Sequence, residues 1–440
     1  MRKILQYVFL IFFISMASSG PGFSQKFYEK RSSVYAVAGT SGARLNQFDQ
    51  ILTERGITGL PNRYQTVGLG VQSRLNDLVV GFEIYQNSGG NGKLDDYRID
   101  YRTSRALVNI GYSFTEESRF QLIHYMSLGV GFLNFQMLPL EEPSQIDQFL
   151  EDPARGFVLR ENDIQKGTSK YGNFLTEIGF HLSYDFALPG REEAISLIGK
   201  FGYSFSPFQG EWTMNGVSFE NTQEGAFLRV GAGITIPDRN FFYKDASISF
   251  SLLNGFHFSK PDQLNSRLSE AGLNPFEGTP SNLGLKILGQ NEKLLYGLEI
   301  YNLALDGRAS DFQSHSLNSL RLYGDFGWKI FQVDNFATGV LGGLGYGNIR
   351  YTITQDNKPD FPQLFEERDF DGYLRNGGLM GKPEVFFEYG LPIQDGRLFD
   401  LVFSTSFGYE FPLSNYRLAD LSMAKYMAAP YWNLAIGIRP

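Results

Sequence analysis

The chain contains no cysteine, which excludes a disulfide framework, a thiol nucleophile and a lipid-modified N-terminal cysteine. Histidines number four, His124, His181, His257 and His315, too few and too scattered for a metal site. Phosphate-loop and nucleophile-elbow patterns are missing as well. These gaps predict no catalytic residue, no metal and no cofactor. Positive charge is also scarce: the formal net charge is −8, which argues against a nucleic-acid partner. Long hydrophobic runs are the last absence. Beyond the N-terminal Ile4–Met16 no apolar stretch approaches the ~20 residues that a membrane-spanning helix needs.

Residues 1–24 read as a cleaved secretory signal. Arg2 and Lys3 supply the positive end, Ile4–Met16 the short apolar core, and Gly22-Phe23-Ser24 a small-residue cleavage site before Gln25. The chain is rich in aromatics (15%) and glycine (49 residues). An exported chain of that composition is either a secreted β-protein or a membrane β-barrel.

The mature part is a tandem duplication. Leu78-Val79-Val80-Gly81-Phe82-Glu83-Ile84-Tyr85 returns 216 positions later as Leu294-Leu295-Tyr296-Gly297-Leu298-Glu299-Ile300-Tyr301. Extended ungapped from Leu45/Pro261 to Tyr85/Tyr301, the match holds eleven identities in 41 pairs, against about two or three by chance at ordinary residue frequencies. Glu177/Glu388 and Phe201-Gly202-Tyr203/Phe407-Gly408-Tyr409 continue the echo. The chain therefore divides into a signal at 1–24 and eight-strand repeats at 25–237 and 238–440.

Within each repeat, candidate strands are joined alternately by short turns and long segments. The first repeat has long connections at 43–56, 87–103 and 137–170, and the second at 259–281, 303–316, 351–380 and 412–429. Short helices are expected at 43–56 and 260–272, where leucines fall at helical spacing before Gly56 and Gly272. Every long connection lies at one end of the strands, as in outer-membrane barrels with short periplasmic turns and long external loops. Strand parity points the same way. Val108, Ile110 and Tyr112 share one face opposite Leu107, Asn109 and Gly111, and Trp432, Leu434, Ile436 and Ile438 stand opposite Asn433, Ala435 and Gly437. Large apolar residues outside and small or polar ones inside is the inverse of a soluble barrel.

On these alternating segments, residues 25–440 resemble the gram-negative outer-membrane β-barrel class, porins and small eight-stranded barrels together. Such barrels commonly end on an aromatic residue; here Tyr431–Arg439 alternates and the sequence closes on Pro440. The resemblance implies an all-β transmembrane antiparallel barrel in the cell outer membrane, assembled by the barrel-assembly machinery among lipid and lipopolysaccharide. The expected form is one sixteen-stranded barrel acting as a channel or uptake pore for a small solute. The alternatives are two tandem eight-stranded barrels, a non-conducting structural or adhesion barrel working through its external loops, and an outer-membrane enzyme.

A few charges sit at inward parity: Glu83, Arg105, Glu177, Lys200 and Arg229 in the first repeat, Lys286, Glu299, Arg321 and Glu388 in the second. An isolated charge costs several kcal/mol in a low-dielectric interior, so these should pair. Glu83 with Arg105 and Glu299 with Arg321 are the nearest same-face candidates. The resulting network either braces the interior or forms a charged constriction.

Overall fold

The computed structural model describes residues 30–439 apart from 58–61, 76, 116–118, 142, 154, 161–173, 189–192, 207–211, 215–216, 220–222, 237–245, 360–362 and 394–398. The signal segment 1–24 and the junction of the repeats lie outside the described residues.

The first repeat supplies strands β1 (Lys30–Gly42), β2 (Arg63–Leu75), β3 (Leu78–Leu94), β4 (Tyr97–Ser113), β5 (Phe120–Pro139), β6 (Phe174–Ala187), β7 (Ala194–Phe205) and β8 (Gly225–Ile236). Each pairs antiparallel with its neighbour, and β8 returns to β1 with Val34 opposite Ile234 and Ala38 opposite Val230. The second repeat supplies β9 (Ala246–His257), β10 (Ser281–Asn291), β11 (Leu294–Ser310), β12 (Gln313–Val333), β13 (Phe336–Gln355), β14 (Asp371–Ile393), β15 (Phe399–Pro412) and β16 (Ala429–Arg439). These also close on themselves, β16 against β9 with Leu252 opposite Ile436. Two rings of eight thus replace the single ring of sixteen expected from the sequence, and the tandem alternative is the arrangement found. The physical reason is register: β1 and β9 each spend both edges inside their own repeat, which leaves neither ring an open edge to share.

Parity holds as read. Val108, Ile110 and Tyr112 point out of the first ring, and Leu434, Ile436 and Ile438 out of the second, all well exposed. On β12 the outward residues Leu320, Leu322, Phe326, Trp328 and Ile330 form the apolar section, whereas Ser314, Ser316 and Asn318 continue the same face toward the long loops. Tilted by about 40°, a strand of 21 residues rises roughly 50 Å, about twice the ~25 Å apolar band of such barrels. The fold is that of a transmembrane β-barrel whose strands continue beyond the membrane on one side.

That continuation corrects two loop assignments. Residues 87–103 and 303–316 are mostly strand: β3 runs to Leu94 and β4 restarts at Tyr97, while β11 runs to Ser310 and β12 restarts at Gln313. Their polar composition suits strands above the lipid. Asn87 receives a hydrogen bond from Thr66 Oγ1 at 2.7 Å and donates to Thr103 Oγ1 at 3.0 Å, so the ladder is tied through polar side chains. The two expected helices are present as α1 (Asn46–Thr53) and, in the second repeat, Asp262–Glu270. The first buries Phe48 and Leu52 and the second Leu264 and Leu268, so both cap the open ends of their rings.

Candidate functional site

An eight-stranded ring is just wide enough for side chains to fill, and both rings are filled with charge. In the first, Glu83 is fully buried and takes Lys200 Nζ and the Tyr35 hydroxyl. Glu177 receives Arg105 Nη1 at 2.9 Å and both terminal nitrogens of Arg229, at 2.8 and 2.7 Å. Ser204 Oγ and Gln223 complete the shell of Arg105. Aromatic faces hold the rest: Arg229 Cζ lies 3.8 Å from the centre of the Tyr85 ring, and Lys200 Nζ lies 4.1 Å from that of Tyr125.

In the second ring Glu299 meets Lys382 at 2.8 Å and Lys286 at 3.0 Å, while Glu384 meets Lys286 at 2.5 Å. Arg321 is bound to Glu410, which also accepts from Tyr323 at 2.6 Å and from Tyr301. His257 joins this group, its Nε2 2.6 Å from Glu410 and its Nδ1 2.9 Å from Ser259 Oγ. The order Ser259, His257, Glu410 has the residue types of a hydrolase triad. However, Glu410 is engaged by Arg321 and both tyrosines, and all three members are at most 3% exposed. Arg321 Nη1 also lies 3.2 Å from His257 Nε2, so the group is tied into the ion-pair network of the ring. A void of about 20 Å³ beside Lys286, Glu384 and Ser406 has room for about one water.

The predicted interior charges are therefore inside, but their pairing differs from expectation. Glu83 does not bond Arg105, nor Glu299 Arg321. In the β3–β4 ladder Glu83 stands opposite Leu107 and Arg105 opposite Tyr85, one same-face step toward the long loops. Each arginine instead finds a carboxylate two or three strands along the ring, Arg105 on β4 with Glu177 on β6 and Arg321 on β12 with Glu410 on β15. Glu388 also lies apart, near the short-turn end, where it binds Arg439. Sequence reasoning missed Asp325, Lys382, Glu384 and Glu410, all inside the second ring. Inward parity would have selected Lys382 and Glu384, but the Pro383 between them and the expected loop at 351–380 just before them concealed the start of the strand.

Above the membrane the long loops build a roof. From the first repeat, α2 (Ile146–Glu151) lays Ile146, Phe149 and Leu150 into the second repeat's cluster around Leu264, Leu268 and Tyr351. From the second, the 3₁₀ turn Gln363–Phe365 and Phe370 enter the first repeat's cluster around Phe48, Phe135 and Phe157. His315, at the top of β12, stacks on Phe276 with ring centres 3.8 Å apart and sits 3.4 Å from the Tyr351 hydroxyl. Burial lowers its pKa to about 4. The exposed charges of the roof are acidic in excess, with Asp95, Asp96, Asp147, Glu270, Glu366 and Glu367 outnumbering bases such as Lys93, Lys260, Arg308, Arg417 and Lys425. Among the described residues, no group of acidic or histidine side chains could hold a metal ion.

Compared with known proteins, the chain matches no family model and no curated protein. Solved structures similar to it include Ail, the attachment invasion locus protein of Yersinia pestis, in complex with the heparin analogue sucrose octasulfate. That match has 12% identity and TM-score 0.28, covering 44% of this chain and 97% of Ail. The Pseudomonas putida toluene transporter TodX (10%, TM-score 0.19) covers 96% of this chain and 91% of its own. A Pseudomonas aeruginosa FadL homologue (10%, TM-score 0.23) covers 97% and 93%. All three are outer-membrane β-barrels, the class to which the strand pairing and apolar belt assign this chain.

Proposed function

We propose that this protein is exported to the outer membrane by a cleaved signal at 1–24 and works there as a non-conducting anchor that displays a composite external roof. The observation that carries this reading is the filled interior. Arg105, Arg229 and Arg321 are each at most 2% exposed, and each is bonded directly to a carboxylate two or three strands away inside its ring. A lumen closed by directly bonded ion pairs offers a solute no continuous path, because opening it would strand several charges at once. The roof is the part free to meet something outside the cell. Its acidic outer side suits a cation-bearing partner, such as a basic protein surface, over an anionic polysaccharide. The test is reconstitution of the full chain in a planar bilayer. Silence is expected at all voltages that leave the membrane intact; steady, reproducible unitary conductance would overturn the reading and restore the pore.

A further inference from the structure

The two rings meet through equivalent residues. Leu69, Phe82 and Ile84 of the first ring and Leu285, Leu298 and Ile300 of the second line one crevice between the barrels, and each pair is separated by 216 positions. Val67 and its counterpart Leu283, beside the crevice, are 57% and 58% exposed. An interface in which the same surface of two like bodies faces itself is isologous, the signature of two-fold pairing. The free space left in the crevice is about 30 Å³, enough for only one or two water-sized molecules.

The roof obeys the same symmetry. The connection from fifth to sixth strand of each repeat crosses to the other, α2 against the second repeat's Asp262–Glu270 helix and the 363–365 turn against the first repeat's α1 cluster. Ion pairs fix both crossings, Arg267 with Asp147 at 3.5 Å and Arg368 with Asp95 at 3.1 Å. Where the two connections pass each other, Gly156 O accepts from Phe370 N at 2.9 Å and from Asp371 N at 2.6 Å, and Val158 N donates to Asp371 Oδ2 at 2.6 Å. A Cβ on Gly372 would lie 1.7 Å from Pro153 O, so the crossing point admits only glycine.

We propose that each eight-strand unit carries a self-complementary docking surface whose partner is a second copy of the same unit. The chain is a pseudo-dimer held together by this seam and by its exchanged loops. This inference stands whether or not the roof binds anything. The test uses the full chain with a specific protease site placed within 237–245, folded first and then cut in mild detergent. The two pieces should co-elute, and Gly372→Val should increase their separation at least several-fold. Because the chain lacks cysteine, Ile84→Cys with Ile300→Cys provides a second readout that leaves the loops untouched. A flexible bis-maleimide should join the two pieces of the cut protein on a denaturing gel. Pieces that part on cutting, or a cysteine pair that never cross-links in folded protein, would overturn the proposal.

Discussion

Glu177→Gln is the sharpest probe of whether the barrels are dry and filled. The carboxylate accepts from two guanidiniums at 2.9, 2.8 and 2.7 Å, and all three side chains are buried. Glutamine keeps the shape and removes the charge, leaving Arg105 and Arg229 facing each other across a neutral amide. Breaking one buried pair costs about 3–5 kcal/mol because the remaining charge is uncompensated. With two cations stranded, the upper end of that range applies, a large fraction of the ~5–15 kcal/mol that holds a typical fold. Arg229 retains the Tyr85 and Phe227 rings at 3.8 and 4.1 Å, contacts that soften the loss by about 1 kcal/mol. The assay is urea unfolding in phospholipid vesicles, monitored by tryptophan fluorescence and by heat-modifiable mobility on a gel. In a double-mutant cycle with Arg229→Gln, the pair should couple by more than about 2 kcal/mol. A loss below about 1 kcal/mol for Glu177→Gln would mean that water screens the site, and the filled-barrel argument would fall with it.

Leu344→Arg places a cation on the most exposed large apolar residue of β13, 69% accessible, and should cost about 2–4 kcal/mol in bilayers, whereas a soluble fold would tolerate it. The roof of the second repeat should loosen on acidification. His315 has its folded pKa lowered to about 4 against about 6.5 unfolded, so between those values the unfolded chain binds the proton first. Stability is therefore intact above about pH 6.5 and declines toward pH 4, readable as hydrogen-exchange protection factors around 274–276, corrected for the intrinsic rate at each pH, that fall on acidification and no longer do so in His315→Gln. The mature protein should begin near Gln25 by mass spectrometry; intact residues 1–24 would remove the export argument.

How much was legible in the sequence depended on the range of the interaction concerned. Faces were legible because parity is local: Glu83 and Glu299 had to share a side with Gly81 and Gly297, opposite Phe82 and Leu298, whatever the ring size. The helices at 46–53 and 262–270 were legible for the same reason. Ring closure was not, since the β2–β3 and β3–β4 ladders are identical in a ring of eight and a ring of sixteen. The polar hairpin tops at 87–103 and 303–316 read as loops because strands that stand clear of lipid lose the apolar alternation that marks them.

The charges themselves held a clue to closure. On the β7 and β15 strands, anchored by Phe201-Gly202-Tyr203 and Phe407-Gly408-Tyr409, the positions of Lys200 and Ser204 become Ser406 and Glu410. Ser204 stands opposite Glu177, and the β14–β15 register places Lys382 opposite Glu410. The counterpart of Glu177 is therefore Lys382, not the Glu388 suggested by the sequence echo. Base has replaced acid on one strand, and acid has replaced serine on the next. Arg105 and Arg321 thus keep a carboxylate, Glu177 in one ring and Glu410 in the other, while Glu83 and Glu299 keep a lysine, Lys200 and Lys382. These three changes balance one another within the second repeat. A shared sixteen-strand lumen would impose no such constraint, because a charge lost from one half could be balanced from the other. Two separately sealed interiors demand it, since a buried charge can be neutralised only by a partner inside the same ring.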